Sequence, residues 1–175
     1  MTPEFSRPVR VEAVSATPRD MTIDAEPSEL EALAARLGLP SLGLLHADLS
    51  LFRRGELVFA KGQLEADVVQ SCVVTEEPVP ARVEEDFEIV FQPAPAKPPE
   101  GEEIELSESE MDVVFYDGGS IDVGEAVAET LSLSLDPYPR APGAEEALQE
   151  AGVKSEADIQ AERVASSPFA ILKKD

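Results

Sequence analysis

The chain has no tryptophan, one cysteine and one histidine, and it is short of cations. Fourteen lysines and arginines stand against 36 aspartates and glutamates in 175 residues. Each shortage excludes something. A single cysteine, Cys72, rules out an intrachain disulfide and a multi-thiolate zinc site. A single histidine means that imidazole acid–base chemistry would have to run through His46. The formal charge of −22 argues against general binding to phosphate backbones or anionic lipid, because either needs a local positive excess. No apolar run reaches the roughly 18 residues that a membrane-spanning helix needs. Pro3, Glu4 and Pro8 interrupt any basic-then-apolar leader pattern, so a soluble, cytoplasmic chain is expected. Aromatic residues make up only 5%, so the core must be built from Leu, Val, Ala and the seven Phe residues.

Proline and charge mark the joints. From Glu76 to Glu110 there are twelve acidic residues and two basic ones, Arg82 and Lys97. Within that stretch Gln92 to Gly101 reads QPAPAKPPEG, which cannot pair as a central strand. An acidic, proline-rich solvated loop over about 92–110 is therefore expected. A second break, DPYPRAPG, runs from Asp136 to Gly143. These joints suggest one α+β domain over 1–140 and a C-terminal extension over 141–175.

Alternation of apolar and polar residues marks the strands. Val9, Val11 and Ala13 form a short first one. Leu45, Ala47, Leu49 and Leu51 alternate with His46, Asp48 and Ser50, and Arg53-Arg54-Gly55-Glu56 reads as a hairpin loop. Leu64, Ala66, Val68 and Cys72 share one parity. Val83, Phe87, Ile89 and Phe91 share another, opposite Arg82, Glu84, Asp86 and Glu88. Strands with one apolar and one charged face are those of an antiparallel sheet wet on one side.

Two helices are signalled. Ser28 and Glu31 have capping-box spacing, ahead of Leu30, Leu33, Ala34 and Leu37, with Gly38 and Pro40 as the stop. Asp122 and Glu125 repeat the signal ahead of Val123, Val127, Leu131 and Leu135, which ends at Asp136-Pro137. Short helices are expected at about 144–151 and 155–165. The expected fold is α+β: a mainly antiparallel sheet, with a curl towards a partial barrel left open, two covering helices and a weakly structured C-terminal segment.

Chemistry is sparse. His46 sits on the polar side of its strand beside Asp48 and reads as an exposed strand histidine. Cys72 reads as a small apolar residue, since Glu76 and Glu77 would raise a thiol pKa rather than lower it. Gly118-Gly119 before a helix could offer amides to an anion, but Asp117 and Asp122 flank it and no P-loop lysine follows. A turn followed by an N-cap is the preferred reading there. The carboxylates from Glu100 to Glu110 lack calcium-loop spacing. No catalytic residue, cofactor or metal ligand is expected.

The segments QSCVVTEEPVPARVEEDFEIVF, Tyr116-Asp117 leading into IDVGEAVAETLSLSLDPYPRAPG, and the closing SPFAILKKD together resemble the YceD family, the large ribosomal RNA subunit accumulation proteins. The resemblance runs from Phe5-Ser6-Arg7 to the tail. It rests on a C-x-x-x-x-E-P-V segment and an I-D-[LV]-x-E-x-[VI] helix, matched by Cys72, Glu77, Pro78, Val79, Phe87, Asp122, Glu125 and Pro137. Many relatives carry C-x-R-C, but Val74 and Thr75 occupy the last two of those positions here, so no thiolate pair exists. The resemblance implies a bacterial cytoplasmic factor for accumulation of large-subunit ribosomal RNA, and it brings no catalytic residues with it.

Two functions from different classes remain. The first is a non-enzymatic assembly factor that holds a basic large-subunit ribosomal protein, with Glu84, Asp86 and Glu88 as the docking face and ribosomal RNA met only indirectly or weakly. The second is a factor that binds precursor ribosomal RNA directly, through Arg7 with Arg10, Arg53-Arg54 with Lys61, and Lys173-Lys174.

Overall fold

The computed structural model describes residues 3–94, 112–154, 159, 160 and 163. The bulk of the expected acidic loop, from residue 95 to 110, lies outside the described residues, as does the closing SPFAIL segment. The chain divides into two compact units. One comprises Met1–Gln70 with Pro80–Pro137, and the other Ser71–Val79 with Tyr138–Asp175.

The first unit is built on a five-stranded sheet. Its strands are β2 (Arg19–Asp24), β3 (Ser41–Arg54), β4 (Leu57–Ser71), β5 (Pro78–Pro93) and β6 (Asp112–Tyr116), in that spatial order. β1 (Pro8–Arg10) pairs separately with β7 (Ser120–Asp122). The fold is α+β as expected, and the sheet does not close into a barrel.

β3 and β4 form one long hairpin, paired from Ser41↔Val69 to Arg54↔Leu57. Only Gly55 and Glu56 form its turn, so Arg53 and Arg54 belong to the strand rather than to the loop. Gly55 supplies the positive φ, +64°, that a two-residue hairpin turn demands at this position. Leu45, Ala47, Leu49 and Leu51 on β3, and Leu64, Ala66 and Val68 on β4, all face inward. Leu42 is buried as well, although it breaks their parity. A register shift between Leu42 and Leu44 restores it to the core side.

β2 escaped the reading of the sequence because RDMTID offers only Met21 and Ile23 as an apolar face. It pairs antiparallel with β3, Ile23 opposite Ala47 and Asp24 opposite His46. The expected first strand is also shorter. After Arg10 the chain turns into a 3₁₀ helix over Val11–Ala13.

β5 reaches Pro93, further into the proline-rich stretch than the sequence suggests, and it is flanked by a parallel strand. Ile89 stands opposite Asp112 and Pro93 opposite Tyr116. The sheet is therefore mixed at this end, and the residues between β5 and β6 supply the long connection that parallel neighbours require.

Helix α1 (Pro27–Leu37) begins two residues earlier than expected. The capping box joins Glu26 and Glu29, not Ser28 and Glu31. Pro27 explains the shift: its φ is already helical and it lacks the amide that the first turn would leave unpaired. The Glu29 carboxylate accepts the Glu26 amide at 2.8 Å. Helix α2 (Val123–Ser134) starts as read, with Asp122 accepting the Glu125 amide at 3.1 Å. Leu33 and Ala34 from α1, and Val123, Ala126, Val127 and Leu131 from α2, are buried in the same core as the sheet.

In the second unit, helix α3 (Ala144–Glu150) occupies the expected position. Of the helix expected over 155–165, residues 159, 160 and 163 are described and helical. Among the described residues, the second unit's buried cluster is Cys72, Ala141 and Ala144, with Val74 and Val79 packed on them.

Candidate functional site: an open carboxylate face and a clamped N-terminus

Strand register decides which side chains share the sheet face opposite the core. Directly paired residues of neighbouring strands point the same way. Asp20 and Asp24 on β2 therefore share a face with Asp48 on β3, through Asp20↔Ser50, Thr22↔Asp48 and Asp24↔His46. The β3–β4 register adds Lys61, Gln63 and Glu65, and Asp67 follows Glu65 at the next outward position. Cross-strand ion pairs bring β5 onto the same face. Lys61 meets Glu88 at 3.2 Å, and Arg82 meets Glu65 at 2.6 Å and Asp67 at 3.4 Å. Those pairs run in opposite order along β4 and β5, as antiparallel neighbours require. Even-numbered residues of β5 thus face outward, which adds Glu84, Asp86 and Glu88.

The face carries eight carboxylates (20, 24, 48, 65, 67, 84, 86 and 88) against Lys61, Arg82, the imidazole of His46 and, at the hairpin end, Arg54 stacked on Phe52. Of the three acids singled out from the sequence, two are already engaged. Arg82 Nε donates to Glu84 at 2.8 Å, and Lys61 holds Glu88, which is half-buried. Asp86 is exposed, without a partner among the described residues.

His46 lies in the middle of this face and is half-buried rather than free. Its Nδ1 is 2.7 Å from Asp24 and its Nε2 3.3 Å from Asp48. The hydrogen bond to Asp24 first, and that to Asp48 second, hold its pKa above the ordinary value. Asp48 in turn is held below its usual range, mainly by the Thr22 hydroxyl and then by His46. The sequence could pair His46 with Asp48 by spacing, but Asp24 becomes a neighbour only because β2 exists.

The family-motif residues do not converge on one site. Asp122 clamps the N-terminal segment. It accepts from the Ser6 hydroxyl and from the Arg7 amide (2.8 Å) while it caps α2. Arg7 makes a two-pronged ion pair with Glu29, both bonds 2.7 Å, and its guanidinium lies 4.5 Å above the Phe5 ring. Glu125 does not complete a capping box. It takes Arg36 of α1 in a second two-pronged pair, at 2.6 and 2.8 Å. Gly124 between them allows this close approach: a Cβ there would stand 2.5 Å from the Phe5 carbonyl oxygen. Phe87 is a buried core residue, and Pro137 lies just past the end of α2.

Cys72, Glu77, Pro78 and Val79 belong to the second unit. Cys72 lies just past the end of β4, not on the strand. It is 2% exposed. Its amide donates to the Glu77 carbonyl at 2.8 Å, and the Glu76 amide returns to the Cys72 carbonyl at 3.0 Å. Glu76 turns the chain with a positive φ of 59°. The Thr75 hydroxyl donates to the Glu77 carboxylate at 3.0 Å.

The expectation that neighbouring acids would raise the Cys72 thiol is overturned. Backbone donation from Ala141 first, then the Thr75 side chain and the backbone amides of Thr75 and Val74, lower it to about 7. The sulfur accepts the Val74 and Thr75 amides at 3.4 Å each. Donors aimed at the sulfur outweigh the carboxylates adjacent in sequence. Among the described residues, no group of three or more His, Cys, Asp or Glu stands where it could hold a metal ion. No described helix is long and apolar enough to cross a membrane.

Comparison with known proteins gives one result. Neither a curated protein sequence nor a solved structure matches the chain. A family model, the large ribosomal RNA subunit accumulation protein YceD, matches residues 60–174. That span contains all eight motif residues from Cys72 to Pro137, while Phe5–Arg7 lies outside it. A match over well above half of the chain settles the matter, and the chain belongs to the YceD family.

Proposed function

We propose that this protein is a non-enzymatic factor for large ribosomal subunit assembly that acts by holding a basic ribosomal protein on its open carboxylate face. Membership of the YceD family ties the chain to accumulation of large-subunit ribosomal RNA. The observation that supports the cargo reading is the sheet face itself, with eight carboxylates spread over four adjacent strands and two fixed cations among them.

A face of this kind attracts a cationic protein over a distance. Ribosomal proteins are rich in Lys and Arg, and the carboxylates would steer them and screen their charge until RNA competes for it. Arg82, bridged to Glu65, Asp67 and Glu84, keeps the strands in register and leaves most of the negative charge uncompensated. No covalent step is required.

The test is the rate at which the immobilised full chain captures purified basic large-subunit ribosomal proteins. The Debye length falls from about 10 Å at 0.1 M salt to about 3 Å at 1 M. The association rate should fall steeply across that range, with dissociation changing less. Neutralising Glu84→Gln, Asp86→Asn and Glu88→Gln together should slow association several-fold at low salt and leave the fold intact. Capture by this variant at the wild-type rate, or no capture of any basic ribosomal protein by the wild type, overturns the reading.

A further inference from the structure

Four of the cations of this chain are held by its own carboxylates. Arg7 is held by Glu29, Arg36 by Glu4 and Glu125, Lys61 by Glu88, and Arg82 by three acids. Arg10 and Arg19 are exposed and have no carboxylate partner among the described residues. Both line one cavity of about 430 Å³, within the size range of small-ligand sites.

The cavity is formed by the end of β1, the 3₁₀ turn that follows it and the start of β2. Its walls include Val9, Val14, Met21 and Leu51, with Ser15, whose hydroxyl donates to the Thr17 carbonyl at 2.9 Å. Asp20 is its single acidic lining residue. It alternates with Arg19 along β2, so its side chain points to the carboxylate face. The guanidinium of Arg53 adds positive charge nearby, donating to the Val11 carbonyl at 3.2 Å. In a chain of formal charge −22, this is a place where cations are left uncompensated beside an apolar wall.

We propose that this cavity binds a nucleotide, with its phosphate on Arg10 and Arg19 and its base against Val9, Val14, Met21 and Leu51. Two planar guanidinium forks match the several oxygens of a phosphate better than the two of a single side-chain carboxylate. An apolar wall accepts the flat face of a base and offers no reward to a fully polar anion. The site is independent of the carboxylate face, and its occupancy does not require the cargo reading to hold. The nucleotide is either free or a unit of single-stranded RNA, and the two sources are separable by experiment.

Binding of fluorescently labelled oligouridine to the full chain, followed by anisotropy, tests the proposal. Binding should weaken with salt with a log–log slope of about −0.7, the value for one phosphate contact on a single strand. Arg10→Ala with Arg19→Ala should weaken it at least tenfold, while Arg140→Ala, an equal loss of charge per site elsewhere on the surface, should leave it unchanged. Arg19→Lys should fall between, because it keeps the charge but loses the fork. Melting followed by circular dichroism verifies that each variant is folded. Competition by uridine monophosphate would identify a free-nucleotide site, and binding of the oligomer without such competition a site for an RNA chain. Either supports the proposal. Absence of binding at low salt, an equal loss in Arg140→Ala, or equal competition by a polyglutamate peptide overturns it.

Discussion

The first unit buries Phe5, Leu33, Leu45, Leu64, Phe91 and Leu131 to less than 2% exposure, in one cluster shared by the sheet, α1 and α2. Among the described residues, the second gathers Cys72, Ala141 and Ala144, with two half-covered valines, and leaves Val73, Tyr138 and Val153 more than half exposed. A buried Leu or Phe contributes roughly 1.5–3 kcal/mol, several times what an alanine methyl can. The described part of the second unit therefore leans on hydrogen bonds, those around Cys72 above all. The family motif is split between these two kinds of stabilisation. Asp122 and Glu125 tie a well-packed unit at its N-terminal clamp, whereas Cys72 and Glu77 shape a turn.

That contrast should show first at Gly124. Its Cβ position meets the Phe5 carbonyl oxygen at 2.5 Å and the Arg7 amide nitrogen at 2.9 Å, and both are backbone atoms that cannot swing aside. Gly124→Ala should therefore cost about 3 kcal/mol, at the upper end of overpacking losses, by pushing the N-terminal segment off α2. Chemical denaturation of the variant measures it. A loss below about 1 kcal/mol would mean that the clamp is soft and the first unit less tightly built than its packing suggests.

A change at Cys72 should do far less. Cys72→Ala removes one sulfur from a three-residue cluster together with two long amide contacts. The main melting transition should fall by only about 2 °C, as expected for a small truncation in a chain of this length. Amides of residues 73–77 should lose hydrogen-exchange protection, while those of β3 and β4 keep theirs. A collapse of protection in β3 and β4 would show that the two units are not energetically separate.

The smallest effect is the pH response of the carboxylate face. His46 has its pKa raised above its ordinary value of 6.5 by Asp24 and Asp48. A raised folded value means that the protonated imidazole stabilises the folded state. The contribution is complete below pH 6.5 and is lost as the pH climbs through the raised value. Pairing of β2 with β3 should loosen slightly over that interval, seen as faster exchange of the β2 amides after correction for intrinsic rates. His46→Gln should abolish the step. An identical step in that variant would assign it to another group.

How much of this was legible in the sequence depended on the range of the forces involved. Local signals sufficed for β3, β4, the inward half of β5, α2 and α3. There the apolar period or an N-cap spans neighbouring residues, as with Leu45 to Leu51 and Asp122 with Glu125. They failed where a tertiary partner decided the outcome. β2 has too few apolar residues to declare itself and exists by pairing with β3. β6 is a strand because β5 lies parallel to it. The α1 cap moved to Glu26 because Pro27 favours the first helical position over Ser28 as a cap.

The candidate site divides the same way. The acidic excess and the outward parity of Glu84, Asp86 and Glu88 follow from residue types and a period of two, which the sequence by itself determines. Their engagement by Arg82 and Lys61, the placing of Asp24 beside His46, and the meeting of Arg10 and Arg19 at one cavity needed strand register and a turn after β1. The lowered thiol of Cys72 likewise came from amides of a turn and of Ala141, 69 positions along the chain. Charge and periodicity are properties of nearby residues, so they can be read in order along the chain. Which opposite charges meet, and which are left without a partner, is settled only when strands distant in sequence come to lie side by side.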